Sequence, residues 1–100
     1  MKEEFKKAET GIVRKSLSFS GRVQGVGFRY RAKHAADLLG LTGWVRNEWD
    51  GTVSMEVQGP ESEIDHMIQI INKGTWVFIE NIRAHSLPVE EGEYSFRYRD

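Results

Sequence analysis

The run Gly21-Arg22-Val23-Gln24-Gly25-Val26-Gly27-Phe28-Arg29 puts three glycines ahead of an arginine, between an expected strand and an expected helix. Glycine has no Cβ to block a close approach and takes left-handed backbone angles at little cost. Successive N–H groups can therefore turn inward around an anion. The helix that follows would present its unpaired N–H groups and positive dipole end to the same place. Arg29 falls in the first turn of that helix, with Arg31 and Lys33 just beyond. A cation there opposes the dipole, at a cost of about 0.3–1 kcal/mol for an exposed site. The placement makes sense if Arg29 reaches for an anion, and a phosphate is the natural candidate. The pattern G-x-x-x-G-x-G is neither the dinucleotide fingerprint nor the Walker loop, and taken alone it also fits plain turn geometry.

Asn47 supplies the second half of the chemistry. A helix over Phe28 to Leu39 carries the chain away from the glycine loop by roughly 16 Å at 1.5 Å per residue. A strand from Thr42 to Asn47 returns by about the same distance at ~3.3 Å per residue, which brings Asn47 back to the level of Arg29. A carboxamide both donates and accepts hydrogen bonds, so it can hold a water. Asn47 and Asp50 are also ordinary hairpin residues, and residue type alone does not decide between the two readings.

The elements that must position these groups follow from periodicity. Leu17 and Phe19 alternate with Ser16, Ser18 and Ser20, giving a half-buried strand from about Lys15 to Arg22. Phe28, Ala32, Ala35, Ala36 and Leu39 form a small-residue helical stripe that Gly40 is suited to end. Gly43 to Glu48 reads as the second strand and Thr52 to Gln58 as the third, joined by a three-residue Trp49-Asp50-Gly51 hairpin. That loop length sets Val45 opposite Met55 and Asn47 opposite Val53; a two-residue turn would mix charge into the apolar row. Pro60 suits the first turn of a second helix carrying Ile64, Met67, Ile68 and Ile71, with Gly74 to close it. A fourth strand lies within Trp76 to Leu87, and Tyr94, Phe96 and Tyr98 mark a short terminal strand.

The order β-α-β-β-α-β predicts an α+β protein, the ferredoxin-like α/β sandwich. It has an antiparallel sheet, two helices on one face and a short extra C-terminal strand. Residues 1–13, charge-rich with Phe5 as their one bulky anchor, are expected to be a flexible extension, and residues 14–100 a single domain. Such a fold hosts many functions, so the chemistry has to come from the site.

Composition narrows the classes. One hundred residues make one domain, and 39% hydrophobic with 29% charged residues is ordinary for a globular protein. A net charge of −1 and a pI near 6.3 argue against nucleic-acid binding. The absence of cysteine excludes disulfides, thiolate zinc sites and a cysteine nucleophile. No apolar run approaches the ~18 residues of a membrane span and no signal peptide opens the chain, so the cytoplasm is the expected location.

With both motifs in view, Gly21-Arg-Val-Gln-Gly-Val-Gly-Phe-Arg29, Leu39-Gly-Leu-Thr-Gly-Trp-Val-Arg-Asn47 and Asp50-Gly-Thr-Val53 closely resemble the acylphosphatase family, over roughly Lys15 to Tyr98. The resemblance implies hydrolysis of a carboxyl–phosphate anhydride to a carboxylate and inorganic phosphate, without metal or cofactor. It implies that Arg29 binds the phosphate and that Asn47 orients the attacking water. The backbone N–H groups of Gln24, Gly25, Val26, Gly27, Phe28 and Arg29 would form the cradle. The partners implied are a small acyl phosphate and inorganic phosphate as product and inhibitor, with no nucleic acid and no membrane; a monomer is expected. The chain departs from the family pattern after the second helix, where Gly74-Thr75-Trp76 stands in place of a frequent Gly-Pro pair, and in its additional N-terminal dozen residues.

Other residues carry less. His34, His66 and His85 lack metal-ligand spacing, and no base is placed for Ser16, Ser18 or Ser20. Trp44, Trp49 and Trp76 and the terminal tyrosines read as core and rim packing, and Glu90, Glu91 and Glu93 as a solvated turn. The alternative function is a non-catalytic module that binds a phosphorylated metabolite in the same cradle. An RNA-binding ferredoxin-like domain is disfavoured by the pI and the absence of the RNP aromatic pattern.

Overall fold

The computed structural model describes residues 11–100. Seven elements follow in order: β1 (Ile12–Arg22), α1 (Phe28–Leu39), β2 (Thr42–Asn47), β3 (Val53–Pro60), α2 (Glu61–Asn72), β4 (Phe78–Leu87) and β5 (Phe96–Tyr98). They form one five-stranded sheet in the order β4-β1-β3-β2-β5. The four long strands are mutually antiparallel, and β5 joins β2 in parallel, which makes the sheet mixed at that edge. This is the expected ferredoxin-like arrangement. Most of the expected N-terminal extension lies outside the described residues; of its last three, Ile12 and Val13 already belong to β1.

The core lies between the sheet and the two helices. Leu17, Phe19, Val45, Val53, Met55 and Val57 come from one face of the strands, and Phe28, Ala32, Ala35, Ala36, Ile64, Met67 and Ile71 from the helices. The alanine stripe of α1 lets the helix lie close to the strands. The helix ends as expected: Gly40 is left-handed at φ 72° and its N–H bonds to Ala36 O. The hairpin takes the expected register, Val45 opposite Met55 and Asn47 opposite Val53.

Four local expectations change. Pro60 ends β3 as the extended N-cap of α2 instead of entering its first turn. Lys73 caps the C-terminus of α2, and Gly74 is needed for room: a Cβ there would lie 2.8 Å from the Arg31 side chain. Only Trp44 of the three tryptophans is buried; Trp49 is 96% exposed. Finally, Glu93 does not belong to a solvated turn. Its carboxylate lies 2.8 Å from Arg14, which is only 3% exposed on the sheet face away from the helices.

Candidate active site

Two left-handed glycines shape the loop between β1 and α1, Gly25 at φ 72° and Gly27 at φ 82°. A Cβ built on either meets no atom within 4 Å, so glycine is required by the dihedral and not by space. Gly21 is a different case. It sits at the β1–β4 register shift, and a Cβ there would lie 2.3 Å from the Phe78 carbonyl oxygen. It therefore serves strand packing and is no part of the cradle. Beneath the loop, Phe19 of β1 and Phe28 of α1 meet edge to face with ring centroids 4.8 Å apart, which anchors both ends.

The start of α1 is left open. Gly27 O accepts the Arg31 N–H at 3.0 Å, and the N-cap offers no side-chain hydrogen bond. The first turn of α1 contains no acid, whereas α2 begins with Glu61 and Glu63, the usual complement to a helix dipole. In place of an acid, α1 has Arg29. Its side chain is exposed, and among the described residues no carboxylate forms an ion pair with it.

The cavity at this end has a volume of about 340 Å³ and is lined by Val23, Gly25, Gly27, Phe28, Arg29, Tyr30, Asn47 and Tyr98. The structure thus brings the glycine loop, Arg29 and Asn47 together. Asn47 follows Val45 by two residues on β2 and shares its helix-facing side. Its Oδ1 is buried without a hydrogen-bond partner among the described residues. A buried acceptor left unpaired costs about 1–3 kcal/mol, so the position suits a donor such as water. None of the three histidines lines the cavity.

The hairpin beside Asn47 is firmly closed. Glu48 N–H donates to Thr52 O at 2.8 Å and Gly51 N–H to Glu48 O at 3.2 Å. The Asp50 carboxylate accepts from the Thr52 N–H at 3.0 Å and from its hydroxyl at 2.7 Å, and these bonds hold it below its ordinary pKa. The Gln24 amide joins from the loop, donating to Glu48 O at 2.7 Å and to Thr52 O at 2.9 Å. Of the six expected cradle residues, Gly25, Gly27, Phe28 and Arg29 line the cavity; Val26 packs against the core and Gln24 sends its side chain to the hairpin. Sequence reading missed Tyr30 and Tyr98 as cavity walls. Tyr30 was open to inference as the neighbour of Arg29, whereas Tyr98 arrives only through the parallel pairing of β5.

The Acylphosphatase family model matches residues 15–98 of this chain. An acylphosphatase from Geobacillus kaustophilus is 51% identical over 79 residues, covering 77% of this chain and 83% of that protein. One from Clostridium beijerinckii is 42% identical over 86 residues, covering 85% of this chain and 96% of that protein. The crystal structure of the Bacillus subtilis acylphosphatase superposes with a TM-score of 0.80 at 31% identity, covering 88% of this chain and 99% of that one.

Proposed function

The chain belongs to the acylphosphatase family of hydrolases, and we propose that it hydrolyses acyl phosphates with Arg29 and the Gln24–Arg29 backbone holding the phosphoryl group and Asn47 orienting the water. The observation that carries this reading is the shared cavity. Among the described residues it joins an arginine without an acid partner, an uncapped helix start that follows two left-handed glycines, and a buried amide oxygen that lacks a donor.

The mechanism follows from charge. A carboxylate is a good leaving group, so no protein acid has to protonate it. The protein must hold a dianionic phosphoryl group and place water in line with the leaving oxygen. Arg29 meets the first need by charge-assisted hydrogen bonds whose fork geometry a lysine lacks. Asn47 meets the second by accepting a hydrogen bond from the water at Oδ1. The water oxygen bonds to phosphorus as the bond from phosphorus to the acyl oxygen breaks. The electron pair leaves with the carboxylate, and the water proton passes to a phosphoryl oxygen, giving dihydrogen phosphate. The same reading takes the enzyme as a cytoplasmic monomer.

Incubation with benzoyl phosphate in EDTA tests the proposal. Multiple turnovers with competitive inhibition by inorganic phosphate are expected. Saturable phosphate binding without turnover would instead make the protein a binding module.

A further inference from the structure

The β1–β3 ladder ends at Phe19–Val53, one residue short of the hairpin loop. Beyond it the backbone ladder no longer joins the glycine loop to the strand end that carries Asn47. Gln24 spans that gap. Both hydrogens of one carboxamide nitrogen go to Glu48 O and Thr52 O, the residues whose pairing closes the hairpin. Each of these carbonyls already accepts a backbone N–H, from Gly51 and Glu48 respectively, so Gln24 takes up their second lone pairs. Removing the side chain therefore orphans neither carbonyl. What it removes is a brace between two parts of the site. On one side of Gln24 stands Val23, buried in the core; on the other stand the two left-handed glycines of the cradle. Asn47 is the residue immediately before Glu48.

We infer that Gln24 is a positioning residue for the hydrolysis: its side-chain amide locks the Asn47 hairpin to the phosphate cradle and so sets the spacing between the held water and the phosphoryl group. This rests on the function proposed above. The effect belongs to water placement and not to phosphate affinity, because the backbone N–H of residue 24 and the Arg29 side chain stay where they are when the amide is replaced.

The test uses the full chain, benzoyl phosphate as substrate and inorganic phosphate as inhibitor. Gln24→Glu keeps the size of the side chain and replaces both donors with acceptors; Gln24→Ala removes the group. Both should lower kcat by roughly 10- to 100-fold, the order of loss expected when a reacting group is misplaced by about 1 Å. The inhibition constant for phosphate should stay within about twofold, and in an Asn47→Ala background either change should cost nothing further, as for groups that act as one unit. Wild-type kcat in Gln24→Glu would show that only packing matters and would overturn the inference. So would an equal loss in both backgrounds, or a phosphate constant that rises in step. Failure of the underlying reading is seen separately: a wild-type chain that turns over no benzoyl phosphate, or an Asn47→Ala variant with full kcat, removes both.

Discussion

Arg14 and Arg29 are the same side chain put to opposite uses, one on strand β1 and the other in the first turn of helix α1. The Arg14 guanidinium is buried and makes five hydrogen bonds, two to Glu56, one to Gln58 and two to Glu93, at 2.8–3.3 Å. Every charge there is answered from within the chain, and the result ties β1 and β3 to the segment leading into β5. Arg29 is exposed at the mouth of the cavity, beside the start of α1, and no acid among the described residues answers it. A buried, fully paired arginine is costly to unpair; an unpaired one beside a concave set of donors is what the proposed phosphate site calls for.

The largest expected effect breaks this comparison if it fails. Arg29→Ala should lower turnover by ~10²–10³, the equivalent of about 2.7–4 kcal/mol for one preorganised donor to developing charge, with an unchanged melting midpoint. Phosphate inhibition should weaken with it, and Arg29→Lys should recover little. Asn47→Ala should lower kcat strongly while leaving phosphate inhibition in place, since an amide that holds water has no part in anion affinity. An equal weakening of phosphate binding in both variants would end the division of labour.

Arg14→Ala should do the reverse. It leaves Glu93, whose side chain is only 9% exposed, without its main cation. Breaking such a pair costs about 3 kcal/mol, taking the low end because Glu56 is partly solvated, and lowers the melting midpoint by on the order of 10 °C or more. Well below that midpoint kcat should match the wild type. Calorimetry and turnover on one preparation check both statements, and a slow but fully stable Arg14→Ala would show that the two arginines are coupled.

The two arginines also differ in how readily sequence reveals them. The placing of Arg29 and Asn47 at one cavity was legible because their neighbours are local signals: glycines set the loop, the alanine stripe sets the helix length, and the hairpin sets the return. Helix α1 and the register of β2 on β3 followed from the same local rules. Arg14 was not legible. Its partners lie 42, 44 and 79 residues away, and a charged residue between Val13 and Lys15 reads as the end of a strand instead of its buried interior. Glu93 was misread for the same reason, since burial by a distant partner leaves no local trace. The reach of Gln24 to the hairpin and the parallel seat of β5 are likewise set by tertiary contact. Gly21 is the opposite case, a glycine that stands in the same local run as the loop glycines while the approach of β4 explains it.

The smallest expected effect separates the two regions by pH. Burial pushes the Glu93 carboxyl up, but hydrogen bonds with Arg14 and Thr42 and the charges of Arg14 and Arg97 outweigh it, holding the group below its ordinary 4.5. A carboxyl depressed in the folded state stabilises the fold above its unfolded value, and that contribution is lost as pH falls through the folded value. The melting midpoint of the wild type should therefore decline below about pH 4.5 more steeply than that of Glu93→Gln, so the gap between the two proteins narrows on acidification. The lowered carboxyls of Glu48 and Asp50 titrate in both proteins and cancel in the difference. The active end should show no matching change. The proposed chemistry uses no imidazole or carboxyl as acid or base, so kcat should be flat from roughly pH 5 to 8 in both proteins. Parallel melting curves for the two proteins would remove Glu93 as the source of the acid sensitivity. A limb in kcat near about 6.5 would place an imidazole in the reaction and return His34, the ring stacked on Tyr30 at the cavity wall, to consideration.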